Sequence, residues 1–367
     1  MVEAQRLNTG GKVMEELKQL LKKLVEANGP SGHEENVRNI IKEELANYVD
    51  EVKVDNLGNL ICTKKGAKDT PKAMVLAHTD EIGMLVRYIE KEGFIRFSYL
   101  GGFFDQMVLG QRVLIHTEKG DIKGVIGSVP PHLLPEEERK KPINRDKMFI
   151  DIGAASREQA EEWGVKIGNP ITWLGQLEEL GNNIVTGKAF DDRAGCAVMV
   201  QALKEVNAQC TVIGVASVME EVGLRGAQTS SFTVNPDLAI AIDVSATGDH
   251  PGVEERQIPI KIGKGPGITI ADGRRESLGG GLISHPKVLK LITETAQKNN
   301  IPYQLEIFEG GTTDATAAAT SRGGIPSATI SIPTRYIHSP IEVLSLEDLS
   351  KAVKLLKLSL ENAHKYF

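Results

Sequence analysis

Between residues 14 and 48 apolar side chains recur every three or four positions, the spacing of helices that bury one face. The turn-rich run Asn28-Gly-Pro-Ser-Gly32 interrupts that pattern once, so two helices joined by a tight loop are predicted. The polar stretch before them, MVEAQRLNTGGK, reads as a short mobile tail. Short strands follow at 52–54 and 60–63. The run 73–78 (AMVLAH) is apolar almost throughout, as expected for a strand covered on both faces.

From about Gly83 to Pro170 the pattern changes to short β pieces, among them 94–99, 113–117 and 122–128, separated by glycine turns with little helical spacing. Residues 130–142 (PPHLLPEEERKKP) should form an exposed loop. Beyond Pro170 strand and helix alternate: helix 191–206, strand 211–219, strand 238–244, helix 286–299 and strand 327–332. A final helix opens on the capping-box pattern Ser345-Leu-Glu-Asp348 and runs towards His364. This order predicts an α/β fold with a mixed, mainly parallel sheet flanked by helices. Residues 1–83 and 171–367 would make one discontinuous domain, and 84–170 an inserted small β-barrel domain.

Composition narrows the function classes. The 367 residues carry a formal net charge of -6 and show no long cluster of lysine or arginine, which argues against nucleic acid or an anionic membrane as partner. No apolar run approaches the roughly 18 residues that span a bilayer, and the N-terminus lacks the apolar core of a secretion signal. Cys62, Cys196 and Cys210 are too few and too scattered for a disulfide framework or a thiolate metal site. Reduced, buried thiols in a cytoplasmic protein are expected.

Chemistry-bearing residues gather at predicted strand ends: His78-Thr-Asp80, Asp191-Asp192, Glu220-Glu221, Asp243 and His338. In open α/β sheets ligands bind beyond the carboxyl ends of the strands, where separate strands deliver side chains to one crevice. Two imidazoles with several carboxylates suit zinc, manganese or cobalt. Each residue also has a plain structural reading. Asp191-Asp192 fits an N-cap with a favourable first-turn charge. Asp243 fits a turn, and His338 an ordinary loop histidine. Glu220-Glu221 is different, because it follows a mostly apolar strand and an unpaired carboxylate there is costly to bury. Residues two apart on an extended segment share a face, so Asp80 is placed to hold the His78 ring.

The motifs Ala77-His-Thr-Asp-Glu-Ile-Gly83, Ala189-Phe-Asp-Asp-Arg-Ala-Gly195, Met219-Glu-Glu-Val-Gly-Leu-Arg-Gly226, Ala241-Ile-Asp-Val244 and Tyr336-Ile-His-Ser-Pro340 occur in this order over nearly the whole chain. In them the sequence resembles the tetrahedral (TET) dinuclear metallo-aminopeptidase family, which includes glutamyl and deblocking types and is related to other co-catalytic zinc exopeptidases. The resemblance implies two divalent metal ions per subunit, zinc or cobalt foremost and manganese also suited. Asp191 would bridge them, His78 and Asp243 would complete one site, and Glu221 and His338 the other. It implies Glu220 as general base and Asp80 as the partner of His78. The bridge falls on Asp191 by likeness to related exopeptidases, whose bridging residue precedes a cis peptide; the residues alone leave Asp191 and Asp192 equivalent. The inserted domain would serve dimerisation, with dimers assembling into a hollow tetrahedral dodecamer. Gly310-Gly-Thr-Thr-Asp-Ala315 matches a family loop that shapes the pocket without ligating metal, and reads equally as a glycine turn opening a helix.

The activity so implied is removal of N-terminal residues from peptides by a metal-activated water. A deacylase or carboxypeptidase on the same two-metal scaffold is the alternative, followed by a glucanase built on paired carboxylates. The glucanase needs no histidines, and 5% aromatic residues is thin for stacking sugars. A scaffold without activity conflicts with the intact ligand set.

Overall fold

The computed structural model describes the backbone of residues 2–367 and the side chains from residue 11 onward, except those of Lys12 and Pro131. Its frame is an eleven-stranded mixed sheet. The main path runs Glu51–Val54, Leu60–Lys64, Thr211–Ser217, Lys72–His78, Leu238–Ala246, Ser327–Arg335, Glu342–Ser345, Ile184–Gly187 and Glu178–Gly181. Gly267–Gly273 pairs with Ser327–Arg335 off this path and carries Gln304–Glu309 on its other side. The centre, from Thr211–Ser217 to Ser327–Arg335, is parallel, and the pairs leading to the two ends of the path are antiparallel.

Alternation along the central strands explains why both faces are covered. Ala73, Val75 and Ala77 join Leu238, Ile240 and Ile242 in one core, while Met74, Leu76, Ala239 and Ala241 point into the other. The first core is closed by the helices Val2–Glu26, Glu35–Leu45, Phe190–Glu205, Pro286–Lys298 and Leu346–Asn362, the second by Arg225–Val234 and Asp314–Ala319. In Leu346–Asn362 the buried set Leu349, Ala352, Val353, Leu356 and Leu360 keeps three- and four-residue spacing. Each fully buried leucine there contributes roughly 1.5–3 kcal/mol.

Two expectations change, and one helix was not foreseen. The N-terminal stretch read as a tail forms the start of the Val2–Glu26 helix in backbone, since extending a formed helix needs no new nucleus; the side chains of residues 1–10 and of Lys12 lie outside those described. Ser345 does cap its helix, accepting from the Glu347 and Asp348 N–H groups, but Asp348 does not close the box. Its carboxylate accepts the N–H groups of Gly263 and Gly265 instead, so the box becomes a tie between a helix and a loop. Helix Arg225–Val234 (RGAQTSSFTV) carries no helical signature in sequence, being rich in Ser and Thr, and is held by packing Ala227 into the second core.

The strands Gly83–Ile89, Ile95–Leu100, Met148–Asp151, Gly120–Ser128, Arg112–Thr117 and Pro170–Trp173 close a six-stranded antiparallel barrel inserted in the α/β frame. Val86, Phe97, Val113, Ile115, Ile150 and Trp173 belong to its separate core. Residues 130–142 contain two short helical turns, Pro131–Leu133 and Glu136–Arg139, and their described side chains are exposed or half-exposed. Among the described residues no helix is long and apolar enough to cross a membrane. All three cysteines are buried and unpaired.

Candidate metal centre

Parallel register brings the candidates to one level. His78 pairs with Ser217 at the ends of their strands, and Ala241 pairs with Leu76, which sets Asp243 level with His78. Glu220 and Glu221 follow directly from the Thr211–Ser217 strand, and His338 follows Ser327–Arg335. Asp191 and Asp192 stand at the mouth of the Phe190–Glu205 helix with non-helical dihedrals, joined by a cis peptide bond.

The two adjacent aspartates face different partners. Asp192 is fully buried, its Oδ1 accepting the Gly195 N–H at 2.9 Å and its Oδ2 the His78 N–H at 3.1 Å. This is the capping role that the plain reading assigned to the pair. Asp191 instead faces a cleft between the two imidazoles, with Oδ1 3.0 Å from His78 Nε2 and Oδ2 3.4 Å from His338 Nε2. Glu221 Oε1 lies 3.3 Å from His338 Nε2, and Glu220 Oε2 3.9 Å from His78 Nε2. His78, Asp191 and Glu221 offer ligand atoms all within 4.8 Å of one another, as do His78, Asp192 and Asp243. Glu221 Oε1 is buried without a hydrogen-bond partner, a lone pair that a cation would satisfy. Imidazole and carboxylate donors around such an orphaned oxygen fit divalent ions of the zinc, cobalt and manganese type.

A buried frame fixes these groups. His78 Nδ1 lies 3.1 Å from the Asp80 carbonyl and 3.4 Å from its Oδ1, which leaves Nε2 for the cleft. The Asp80 carboxylate also accepts the N–H groups of Glu220 at 3.0 Å and Glu221 at 3.1 Å, and the Ser31 hydroxyl at 2.6 Å. One carboxylate thus orients a histidine and both glutamates. Glu342, which sequence reading passed over, does the same on the far side. Its Oε2 accepts the Asp191 N–H at 3.0 Å and its Oε1 the His338 N–H at 2.9 Å. The only sequence signal for it was a charged residue between the apolar neighbours Ile341 and Val343.

Electrostatics follow from crowded, buried carboxylates. Burial opposes the charged form of His78, but Glu220, Asp191, Asp80 and Asp192 reverse this and hold it well above its ordinary value. His338 is likewise pushed up to about 11, burial being outweighed by Asp191 and Glu221. Asp191 is depressed, the two histidines overcoming its burial. Glu220 and Asp243 are raised well above the carboxylate range, first by burial and then by neighbouring carboxylates. The field that draws protons onto the histidines is the field that favours dications.

The inserted barrel reaches into the centre, which the sequence did not reveal. A Cβ on Gly102 would lie 3.0 Å from His338 Nδ1, and one on Gly101, at φ +90°, would lie 3.1 Å from Glu221 Oε2. Glycines at this exit from the Ile95–Leu100 strand let the barrel close on the His338 and Glu221 side chains. Gly310 to Thr313 line the cleft, and Asp314 opens a helix behind it with its carboxylate on the Ser217 hydroxyl, so the loop both borders the pocket and starts a helix. The cleft measures about 460 Å³.

A parallel-centred α/β sheet with histidines and carboxylates converging at its strand ends is the framework of a metallohydrolase. The chain matches the M42 glutamyl aminopeptidase family over residues 58–355. It is 46% identical over 343 residues to a putative aminopeptidase of Acetivibrio thermocellus, covering 93% of this chain and 98% of that one. Aminopeptidase APDkam598 from the archaeon Desulfurococcus kamchatkensis superposes with a TM-score of 0.91 at 42% identity, covering 95% of each chain. The TET1 peptidase of Pyrococcus horikoshii, which can assemble into a tetrahedron or a large octahedral shell, superposes at 0.81 with 35% identity, covering 93% of this chain and 98% of that one. The chain belongs to the M42 glutamyl aminopeptidase family and is a metallopeptidase.

Proposed function

We propose that this aminopeptidase removes single residues from free peptide amino termini with two divalent ions bridged by Asp191. His78 and Asp243 hold one ion and Glu221 and His338 the other, and Glu220 is the general base. The observation that carries the reading is the Asp191 carboxylate between two imidazoles, with one oxygen towards each. Divalent ions held there would supply Lewis-acid chemistry, lowering the pKa of a bound water from 15.7 towards about 7 and polarising a carbonyl. Glu220 accepts the proton of the attacking water and delivers it to the departing amine. Burial and neighbouring carboxylates raise its affinity for a proton. Asp80 keeps Glu220 and Glu221 apart in function by fixing both backbones while their side chains diverge. Zinc or cobalt fits the donors best, with manganese also suited.

Glu220→Gln is expected to bind both metals with wild-type stoichiometry by elemental analysis while losing about 10²–10⁴-fold in turnover of an aminoacyl anilide. Retained turnover removes Glu220 from the base role. Asp191→Asn should lose metal as well as activity, and Asp192→Asn should retain the metals. The reverse pattern would move the bridge to Asp192. The same reading extends to assembly: the inserted barrel serves dimerisation, and six dimers close a tetrahedral dodecamer as its relatives' tetrahedra suggest. Three buried, unpaired cysteines support a reducing, cytoplasmic setting.

A further inference from the structure

The charged side chains that line the 460 Å³ cleft are those of the metal centre and its base. Four are acidic: Asp191, Glu220, Glu221 and Asp243. Two divalent ions would balance them, leaving the loaded cleft without spare charge of either sign. Among the described residues no lysine or arginine lines it. Arg335, one residue before the Tyr336-Ile-His338 segment, is committed to Asp249 through two hydrogen bonds of 3.0 and 2.6 Å. The rest of the wall is apolar or backbone, apart from Thr312 and Thr313, whose hydroxyls are neutral and of which the Thr313 hydroxyl is paired with Thr329. Val244 is buried beside Asp243, Ile337 precedes His338 and packs against the main core, and Leu224 packs against the second core. Phe308 closes the side towards Gly311, where an added Cβ would meet its ring at 2.4 Å.

We propose that the cleft selects peptides whose N-terminal residue has an uncharged, apolar side chain of about leucine or methionine size, with Val244, Phe308 and Ile337 as the selecting wall. The inference rests on the two-metal aminopeptidase reading and refines it. A leucine side chain gains by leaving water against this wall. A glutamate or lysine side chain would be desolvated with no counter-charge of its own, since Asp191, Glu221 and Asp243 are engaged by the ions and Glu220 by the attacking water. The glutamyl activity for which the family is named calls for a cation, which the described residues of this cleft do not supply.

The test is a panel of Leu, Met, Phe, Glu and Lys p-nitroanilides on the metal-loaded enzyme, with the inhibition constants of free leucine, glutamate and lysine measured alongside. Leu or Met should exceed Glu and Lys in kcat/KM by on the order of 100-fold, and free leucine should compete best. Phe308→Arg should move the Glu-to-Leu ratio of kcat/KM towards Glu by about 10-fold or more at unchanged metal content, whereas Phe308→Leu should keep the wild-type order. Glu or Lys as the best substrate overturns this inference and leaves the aminopeptidase reading standing. Metal-loaded enzyme that cleaves none of the anilides overturns both.

Discussion

Glu342 commits both carboxylate oxygens to backbone N–H groups, those of Asp191 and His338, two proposed ligands that lie far apart in sequence. Gln keeps only one acceptor and turns an amide N–H towards the other N–H group. Glu342→Gln is therefore expected to weaken metal binding about 10–100-fold, measured by competition with a chelator, with helical content retained. Unchanged affinity would make Glu342 a purely structural residue. Asp272 offers a test away from the centre. It is fully buried, its Oδ1 accepts the Leu282 N–H at 2.6 Å, and its Oδ2 has no partner. Burial pushes it up to about 6 from an ordinary 3.8. The folded chain thus holds this proton more tightly than the unfolded one, so the group costs stability progressively as pH rises from about 4 to 6. Above that window the cost levels off at up to about 3 kcal/mol. Asp272→Asn keeps the carbonyl acceptor and should raise the urea midpoint at pH 8 while leaving it nearly unchanged at pH 4. An equal gain at both values would show that charge is not the cause.

Strand ends were the legible part of this molecule, because a run such as 73–78 declares both its burial and the point where it stops. The level of His78 against Asp243 then follows from parallel register. Asp191 and Asp192 were indistinguishable in sequence because both are small acids at a helix mouth. Only the backbone turn between them sends one to cap Gly195 and the other to the histidines. Glu342 was hidden for a different reason, since its short strand Glu342–Ser345 pairs antiparallel and gives no long apolar run. The reach of the barrel into the centre was hidden because glycine declares what it permits only when its neighbours are known. Gly102→Ala tests that contact. Its Cβ would stand 3.0 and 3.2 Å from His338 Nδ1 and Cε1, so the ring must shift. The expected result is loss of one metal equivalent or about 10-fold or more in kcat/KM, with the barrel folded by near-ultraviolet circular dichroism. A wild-type variant would mean that the barrel end gives way instead.

A closed shell built from dimers needs two different contacts, one within the dimer and one between dimers. This chain exposes apolar side chains in two separate places. On the barrel, Leu133 is 69% exposed and Phe104 61%. On the α/β frame, Gln304–Glu309 pairs on one side only, leaving an open edge. Leu305 and Ile307 are exposed along it, and Ile283 is exposed on the other side of Ala271, the partner of Ile307. An open edge bearing apolar side chains invites association unless it is covered, and a net charge of only -6 gives little repulsion against it. Assignment of the barrel patch to the dimer and the edge patch to the contact between dimers makes separable predictions. Light scattering on the wild type should give about 480 kDa, twelve times the 39.8 kDa chain. Ile307→Lys should stop assembly at about 80 kDa while dimers still cleave aminoacyl anilides, because Ile307 lies outside the proposed ligand set and does not line the cleft. Leu133→Asp should weaken the dimer itself and give monomers of about 40 kDa. Wild-type enzyme that is monomeric at micromolar concentration would refute the shell. An Ile307→Lys variant that still reaches full mass would move the second contact to another surface.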